Sequence, residues 1–468
     1  MKKIYLLLAF VICIGITQSK AQYTDLHNFN DTNGSTPYGN LTLIGNTLYG
    51  MTWYGGAHGD GDIFSIHTDG TSFRDLFDFN GANGANPYGS LTLLGGKFYG
   101  MASAGGIHNY GVVFSIDTNG SGYTILYNFN GFYAPAGQAP EGSLIVYGNK
   151  FFGMTYAGGN NGYGLIFSFD TNGAGYKVLF NFVGPNGRYP HGDLTPLGNK
   201  LFGMTERGGS HQDGNIFSID TNGSGFRELL DFNVANGQSP YGDLLISGSK
   251  MYGMTYGGGA SAIFGLAFSV DTNGTGFKDL LDFTDSANGN HPNGSFILLG
   301  NTLYGTTSLG GHKAAGLIFS IDTDGSAYKD LYDFDGTNGE YPENTLLYTG
   351  GAFYGTGKDG GPFSNGVVFK LDSNVTTSAN NLSASRGSVN IYPNPNNGIF
   401  TVEMKNEKLK VKNIEVLNEL GEKVYSQPVI RNSQFVINLG GQPDGVYLYR
   451  VLNEDGGLVG EGKLIIQK

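Results

Sequence analysis

Cysteine is almost absent from this chain of 468 residues. The single one, Cys13, lies in an N-terminal segment with the pattern of a signal peptide, so the mature chain has no thiol for a disulfide, a metal site or a nucleophile. Charged residues make up only 14% of the chain, and tryptophan occurs once. After the N-terminal segment no run is long and apolar enough to cross a bilayer, so we expect no membrane span in the mature chain.

The signal peptide is predicted over residues 1–21. Two lysines begin it, an apolar core follows over Ile4–Ile16, and Ser19-Lys20-Ala21 offers a small-x-small cleavage site. The alternative is a membrane anchor, but a bilayer needs about 20 apolar residues and this core is shorter. We therefore expect the mature protein to be exported and soluble.

Acidic side chains outnumber basic ones, and the net charge is −12. The signal peptide contributes +3, residues 376–388 contribute +1 and residues 389–468 are neutral, which leaves −16 on residues 22–375. A surface of that sign repels nucleic acid and anionic lipid, so neither is expected as a partner. Neutral sugars, cations and basic partners are compatible with it.

Glycine is abundant, with 79 residues, and it punctuates a unit of about 50 residues that occurs seven times. Each unit has an aromatic residue that opens a short run ending in Leu-x-x-Phe. These aromatic residues are Tyr23, Phe73, Tyr123, Tyr176, Phe226, Phe277 and Tyr328. A period in this range is typical of a solenoid, a propeller or another repeat array.

Each unit predicts four short antiparallel strands, A to D, because tight glycine turns separate β-branched and aromatic runs. In the second unit, for example, strand A is predicted over 87–94. Both faces of such a sheet carry large apolar side chains and need covering, which radial packing of sheets achieves.

The two ends of the array are complementary. The mature chain begins with a strand D, residues 23–30, whereas the seventh unit ends with a strand C, residues 366–372. The start therefore supplies what the end lacks. We predict an all-β fold in which residues 22–375 form a seven-bladed β-propeller closed by the N-terminal strand. An open solenoid is the alternative, but its ends would not be complementary.

The repeats resemble a known family. Motifs such as Leu-Tyr-Gly-Met-Thr (48–52) and Ile-Phe-Ser-Ile-Asp-Thr-Asn-Gly (216–223) resemble the Gloeo/Verruco (GloVer) tandem repeat of secreted bacterial proteins, and the match runs through all seven units. The period and the Gly-Gly content are also similar to kelch repeats. The resemblance implies a repeat architecture and no particular activity.

The composition changes near Asn374, where a polar linker is predicted over 376–388 and a glycine-poor module over 389–468. Four motifs of this module are Tyr392-Pro393-Asn394-Pro395, Asn397-Gly398-x-Phe400, Gly445-Val446-Tyr447 and the ending Lys463-Leu464-Ile465-Ile466-Gln467-Lys468. Together they resemble the type A C-terminal sorting domain of the type IX secretion system.

That resemblance implies a small immunoglobulin-like β-sandwich that contacts the type IX secretion machinery. It also implies passage through the periplasm of a Gram-negative bacterium, and secretion or a place on the outer-membrane surface. An ordinary β-sandwich accessory domain is the alternative.

Candidate binding residues lie where the D–A and B–C connections are predicted to share one face. The residue after each strand-A proline varies between aromatic and polar or charged types: Tyr38, Tyr88, Glu141, His191, Tyr241, Asn293 and Glu343. Just beyond strand B, further candidates are Trp53, Tyr156, Glu206 and Tyr256. Aromatic rings beside carboxylates suit sugar faces or cations, so we expect a ligand-binding face for a glycan or another surface polymer. The alternative is that these aromatics only cap the blades.

Three functions therefore remain open. The first is an exported, non-catalytic propeller that presents a binding face. The second is a glycoside hydrolase or lyase with carboxylates at the channel mouth, such as Glu141 with Glu206 or Glu343, because glycosidases need two carboxyl groups about 5–10 Å apart. The third is a structural or adhesive module that binds protein.

No metalloprotease, serine-hydrolase or P-loop motif occurs in the sequence. The histidines of the B–C connections lie in different units, so a shared metal is not expected. We therefore predict no catalytic residue, no metal and no cofactor.

Overall fold

A computed structural model divides the chain into two compact units, Met1–Asn374 and Val375–Lys468. The described residues are 22–131, 137–285, 288–373, 389–393, 396–404, 411–418, 423–428, 434–443, 445–453 and 458–467. The signal peptide predicted at 1–21 and the linker predicted at 376–388 lie outside them. Within these ranges the fold is all-β apart from one 3-10 turn, Val234–Asn236. The same ranges contain no helix of the length and apolarity that a membrane crossing requires.

The first unit consists of short strands separated by glycine-rich turns. In chain order they are β1 Tyr23–Asn28, β2 Thr42–Ile44, β3 Thr47–Thr52, β4 Asp62–His67, β5 Arg74–Asp78, β6 Thr92–Leu94, β7 Lys97–Ala102, β8 Val112–Asp117, β9 Thr124–Asn128, β10 Ile145–Tyr147, β11 Lys150–Thr155, β12 Leu165–Asp170, β13 Lys177–Asn181, β14 Thr195–Leu197, β15 Lys200–Thr205, β16 Asn215–Asp220, β17 Arg227–Asp231, β18 Leu245–Ser247, β19 Lys250–Thr255, β20 Leu266–Asp271, β21 Lys278–Asp282, β22 Ile297–Leu299, β23 Thr302–Thr307, β24 Leu317–Asp322, β25 Lys329–Asp333, β26 Leu347–Thr349, β27 Ala352–Gly357 and β28 Val367–Asp372.

These strands pair into four-stranded antiparallel sheets, each a meander of strands A to D. Sheets 1 to 6 are β2–β5, β6–β9, β10–β13, β14–β17, β18–β21 and β22–β25, and sheet 7 has the order β26-β27-β28-β1. The N-terminal strand is therefore strand D of the last sheet.

The predicted pairing of the two ends of the repeat array is confirmed. Strand β1 runs antiparallel to β28, with Tyr23 opposite Leu371 and Asn28 opposite Val367. The register shifts at Leu26, just as the outer strand of sheet 1 shifts at Leu76. β1 thus has the pairing and the bulge of the other outer strands.

The core between sheets is built on the phenylalanine of each Leu-x-x-Phe run. All seven are fully buried: Phe29, Phe79, Phe129, Phe182, Phe232, Phe283 and Phe334. Each meets a strand-C phenylalanine of the next sheet, with ring centroids 5.1–5.6 Å apart. Phe29 of sheet 7 packs in this way on Phe64 of sheet 1, so the last sheet contacts the first. Burying each such ring contributes about 2–3 kcal/mol to folding.

A series of hydrogen bonds joins the sheets along their inner edges. The residue two positions before each strand A donates its backbone N–H to the side-chain oxygen of the equivalent residue in the next sheet. The bonds run from Asn40 to Ser90, Ser90 to Ser143, Ser143 to Asp193, Asp193 to Asp243, Asp243 to Ser295, Ser295 to Thr345 and Thr345 back to Asn40.

Strand A is shorter than predicted. In sheet 2 the prediction was 87–94, whereas the strand covers only Thr92–Leu94. The residues ahead of it bond instead to the side chains of neighbouring sheets, as Ser90 does to Ser143. A backbone N–H that is used in this way cannot join a strand ladder.

The second unit contains two antiparallel sheets. Its strands are β29 Val389–Tyr392, β30 Ile399–Met404, β31 Val411–Leu417, β32 Lys423–Pro428, β33 Gln434–Asn438, β34 Gly445–Asn453 and β35 Leu458–Ile466. One sheet has the order β29-β30-β33 and the other β32-β31-β34-β35. Phe400 and Ile437 of the first sheet share one buried cluster with Ile414 and Leu464 of the second, so the two sheets pack on a common core.

Candidate functional site

The residue before each strand-A proline holds the loops of neighbouring sheets together. Its backbone is left-handed in all seven units, with φ between +50° and +58°: Thr36, Asn86, Ala139, Tyr189, Ser239, His291 and Tyr341. Tyr189, for example, donates its N–H to the carbonyl of Tyr163 at 2.9 Å and accepts the N–H of Glu206 at 3.0 Å. Such a backbone costs about 1–3 kcal/mol per residue and persists only where its surroundings enforce it. The D–A and B–C connections therefore meet on one face.

The structure brings together the seven candidates that follow the strand-A prolines. All of them line one cavity of about 60 Å³, which has room for only a few water molecules. Tyr38 stacks on Tyr88 at 4.2 Å, and His191 meets Tyr88 edge-on at 5.0 Å. Since Tyr88 belongs to sheet 2 and His191 to sheet 4, side chains of sheets that are not neighbours touch here. These rings fill the space between the sheets and leave little volume for a ligand.

Glycine follows six of these seven residues and allows the close approach. A Cβ at Gly39 would lie 2.1 Å from the carbonyl oxygen of Gly89, and one at Gly192 would lie 2.5 Å from that of Gly242. Sheet 7 has Asn344 at this position, and its Nδ2 donates to the Gly39 carbonyl at 3.0 Å. The inner edges of the sheets are therefore in backbone contact.

Glu141 and His191 form a half-buried pair, with Oε2 and Nε2 3.3 Å apart. Burial raises the pKa of Glu141 to about 8, and the nearby Glu206 carboxylate adds to the rise. Burial lowers the pKa of His191 to about 4, against the opposing effect of Glu206. Both shifts favour the uncharged form of each group at neutral pH.

Glu343 has a cationic neighbour. The Nζ of Lys358 lies 3.7 Å from its Oε2 and 4.7 Å from the ring centroid of Tyr38. Burial raises the pKa of Glu343 to about 7, and the Lys358 ammonium limits that rise. Trp53 packs edge-on against Tyr38 at 5.3 Å, so this part of the face is a packed cluster.

Glu206 organises side chains from three neighbouring sheets. It is only 4% exposed and accepts the Tyr156 hydroxyl of sheet 3 at 3.0 Å and the Tyr241 hydroxyl of sheet 5 at 3.4 Å. The Nε of Arg207 donates to the same carboxylate at 2.9 Å. Both carboxylate oxygens are therefore engaged.

A larger cleft of about 710 Å³ opens between sheets 3 and 4. Its lining includes Glu141, Tyr156, Arg188, Tyr189, Glu206 and Arg207. Tyr156 and Tyr189 are stacked, with centroids 4.9 Å apart and planes inclined by 19°. The volume falls in the range of about 300–1,000 Å³ that small-molecule sites occupy.

Sequence reasoning found three of the nine residues that line this cleft. Glu141, Tyr156 and Glu206 were candidates, whereas the aromatic and basic residues Arg188, Tyr189 and Arg207 were missed. Arg188 and Tyr189 are the two residues before a strand-A proline, and these positions vary among units as strongly as the position after it. The same test applied to them would have found both.

The remaining candidates lie elsewhere on the face. Tyr256 packs edge-on against Tyr241 at 5.1 Å and in a tilted arrangement against His291 at 4.3 Å, and Asn293 lines the small cavity. Of the B–C loop histidines, His312 lies near Asp330 and Asp333. A ring nitrogen of His312 and one carboxylate oxygen of each aspartate are within 4.8 Å of one another. In the part of the chain that is described, no second histidine joins this group.

Comparison with known proteins agrees with this architecture. The Gloeobacter/Verrucomicrobia repeat family matches residues 13–136, 96–266 and 229–403, and the secretion system C-terminal sorting domain matches residues 390–467. No curated protein sequence matches the chain.

Several solved structures are similar at low identity. The extracellular domain of a hybrid two-component system from B. thetaiotaomicron has a TM-score of 0.50 and 11% identity over 96% of this chain and 59% of that one. An oligogalacturonate lyase in complex with manganese has a TM-score of 0.48 and 11% identity, over 76% and 94% of the two chains. A puromycin-hydrolysing peptidase of Mycobacterium tuberculosis has a TM-score of 0.46 and 12% identity, over 91% and 60%. At this identity the likeness concerns the propeller-like, all-β fold alone.

The repeat match extends over most of the chain, and the sorting-domain match covers the second unit. A type IX sorting domain indicates export to the cell surface or the medium, in agreement with the sequence. The chain belongs to the Gloeobacter/Verrucomicrobia repeat family and ends in a type IX secretion C-terminal sorting domain.

Proposed function

We propose that the first unit is a seven-bladed propeller whose blades are sheets 1 to 7, closed by the N-terminal strand. β1 completes sheet 7 by pairing with β28. The contact of Phe29 with Phe64 and the hydrogen bond from Thr345 to Asn40 both join sheet 7 to sheet 1. The second unit is then an immunoglobulin-like sandwich, since its two antiparallel sheets share one core.

The exported protein binds carbohydrate, without catalysis, in the cleft between sheets 3 and 4. The observation that carries this proposal is the stacked pair Tyr156 and Tyr189 in a cleft of about 710 Å³. Aromatic faces suit the C–H face of a sugar ring, and polar groups at their edges suit its hydroxyls. The packed rings over the small cavity at Tyr38 and Tyr88 leave no comparable space.

The environment of Glu206 favours binding over catalysis. A carboxylate that attacks or protonates a glycosidic bond needs a free oxygen beside the substrate. Glu206 is almost fully buried, and its oxygens already accept hydrogen bonds from Tyr156, Tyr241 and Arg207. It therefore positions the aromatic residues of the cleft.

One observation supports a glycoside hydrolase or lyase as the second candidate. Glu141, with its pKa raised to about 8, lies in the same cleft as Glu206, which is paired with Arg207. A carboxyl group with a raised pKa near a second carboxyl group is the arrangement that glycosidases use. Turnover of a polysaccharide that is lost in both Glu141→Gln and Glu206→Gln would establish this candidate.

A glycan array tests the binding proposal with the mature chain. We expect a defined set of glycans to bind, binding to be lost in Tyr189→Ala, and binding to persist in Tyr156→Phe, which keeps the ring. Trp53→Ala and Tyr256→Ala are the matched controls, because they remove aromatics of the same face outside the cleft. An array without signal, or equal losses in the controls and in Tyr189→Ala, would overturn the proposal. A structural or adhesive role with a protein ligand would then be the better account.

A further inference from the structure

Arg188 is a cation without an anion. In the described part of the chain its guanidinium makes no ion pair and no hydrogen bond, and its Nε is buried with no acceptor. A buried donor without a partner is destabilising, so such a group calls for an explanation. The nearest cation of the cleft, Arg207, is by contrast paired with Glu206 at 2.9 Å.

Aromatic contacts hold the Arg188 side chain in place. Its guanidinium carbon lies 5.8 Å from the ring centroid of Tyr163 and 5.7 Å from that of Tyr189. Because Nε is buried, the two terminal Nη groups are the donors that a ligand can reach, and contacts with ring faces leave their in-plane N–H groups available. That edge is the one with which arginine binds a carboxylate through two parallel hydrogen bonds.

The position is unusual among the repeats. Arg188 and Arg207 bond to each other through their backbones, at 2.8 Å and 3.1 Å. The pairs at this place in the seven units are Ser35 with Tyr54, Ala85 with Ala104, Gln138 with Ala157, Arg188 with Arg207, Gln238 with Gly257, Asn290 with Leu309 and Glu340 with Asp359. Two arginines occur only in sheet 4, although residues 22–375 carry a net charge of −16.

The carboxylates of the cleft do not pair with Arg188. Glu206 is neutralised by Arg207, and Glu141 is protonated at neutral pH because burial raises its pKa. His191 is neutral there as well. Arg188 therefore remains as a cation that no carboxylate of the described residues pairs with, in an acidic protein, and partial burial strengthens its attraction for an anion.

We propose that the cleft between sheets 3 and 4 binds a saccharide that carries a carboxylate, with Arg188 holding the carboxylate and the stacked Tyr156 and Tyr189 holding the sugar ring. This inference rests on the proposed carbohydrate-binding function and assigns its ligand class, the uronic acids and related carboxylated sugars. Arg188 acts as the residue that selects the charge of the ligand.

Matched pairs of ligands test the assignment by calorimetry on the full mature chain. The probes are oligomers of galacturonate, of alginate and of hyaluronan, each with its carboxyl-reduced, neutral counterpart. We expect at least one acidic oligomer to bind about tenfold or more tightly than its neutral counterpart. Arg188→Gln should abolish that preference and leave the affinity for the neutral form unchanged, whereas Arg188→Lys should retain part of it.

The control is Arg227→Gln, which removes an exposed arginine from the outer strand of sheet 4 and should change nothing. Melting temperatures of all variants establish that they are folded. Equal binding of acidic and neutral forms, or equal losses for both in Arg188→Gln, would overturn the carboxylate assignment while carbohydrate binding stands. Tighter binding of a sulfated oligomer than of any carboxylated one would also overturn it. An absence of binding to every oligomer and on the array would overturn both proposals.

Discussion

Thr345 and Asn40 are hydrogen-bonded at 2.8 Å although 305 residues separate them in the chain. The backbone N–H of Thr345 in sheet 7 donates to the Oδ1 of Asn40 in sheet 1. The equivalent bond joins each other sheet to its successor, so this one completes the series. It links the first and last sheets at their inner edge, and β1 completes sheet 7 at its outer edge.

Removing the acceptor at Asn40 should destabilise the first unit. Asn40→Ala leaves the N–H of Thr345 without a partner, and we expect the free energy of unfolding to fall by about 1–2 kcal/mol. Asn40→Asp keeps an acceptor and should lose less. Urea unfolding measures both, with Asn46→Ala in an exposed turn as the control. If Asn40→Ala and Asn46→Ala prove equally stable, the bond does not contribute to closure.

Close approach of the inner edges predicts a sharp cost for a methyl group. The Cβ of Gly192→Ala would lie 2.5 Å from the backbone oxygen of Gly242, so we expect a loss of about 1–3 kcal/mol through overpacking. Gly441→Ala in the second unit is the control, because its backbone is not left-handed and nothing lies within 4 Å of the added Cβ. It should leave stability unchanged or slightly higher. Thermal unfolding compares the two, and equal losses would contradict the packed inner edge.

The raised pKa of Glu141 predicts that the free energy of unfolding depends on pH. Its pKa of about 8 in the folded state lies above its ordinary value of 4.5, so the folded protein binds more protons between those values. Stability from this group is therefore complete below about pH 4.5 and is lost as the pH rises to about 8.

Glu141→Gln should remove this loss, since the amide stays neutral while His191, Glu206 and Tyr156 remain in both proteins. We expect the free energy of unfolding of the variant, relative to that of the wild type, to rise by at least about 1.4 kcal/mol between pH 5 and pH 8.5. This is the equivalent of one pKa unit. Denaturant unfolding at the two pH values measures the difference. A difference between the two proteins that does not change with pH would show that Glu141 is ionised throughout.

The sorting domain predicts the route of export. Deletion of residues 389–468 should retain the protein inside a bacterium that has a type IX secretion system, because the deleted segment is the part that the machinery would recognise. Fractionation with antibodies against the first unit measures the change. The matched control exchanges this segment for the sorting domain of another exported protein and should restore export. Unchanged export of the truncated protein would contradict the assignment.

Much of the fold could be predicted because the same pattern of residues occurs in all seven units. The spacing of the aromatic residues located each outer strand, and the odd strand at 23–30 predicted the pairing of the two ends. The short inner strands were predicted too long, since their backbone partners, such as Ser143 for Ser90, belong to another unit. Local sequence does not show that competition.

The cleft was harder to predict than the fold. Sequence placed Glu141, Tyr156 and Glu206 on one face, and the structure brings these three together. The sequence could not show that the side chains of Tyr88 and His191, from sheets that are not neighbours, touch each other and fill the space between the sheets. Nor could it show that Arg188 lacks an anion, because that depends on the distance of every carboxylate from it.

The stability of a chain that lacks residues 22–30 tests the closed ring most directly. The comparison is between the mature chain and residues 31–468, each with and without a synthetic peptide of residues 22–30. We predict that the truncated chain melts at least about 10 °C lower, because the edge of β28 and the cavity left by Phe29 are exposed, and that the peptide restores most of the loss by adding a strand. A truncated chain that melts at the temperature of the intact one, with no response to the peptide, would contradict the closure of the propeller by its N-terminal strand.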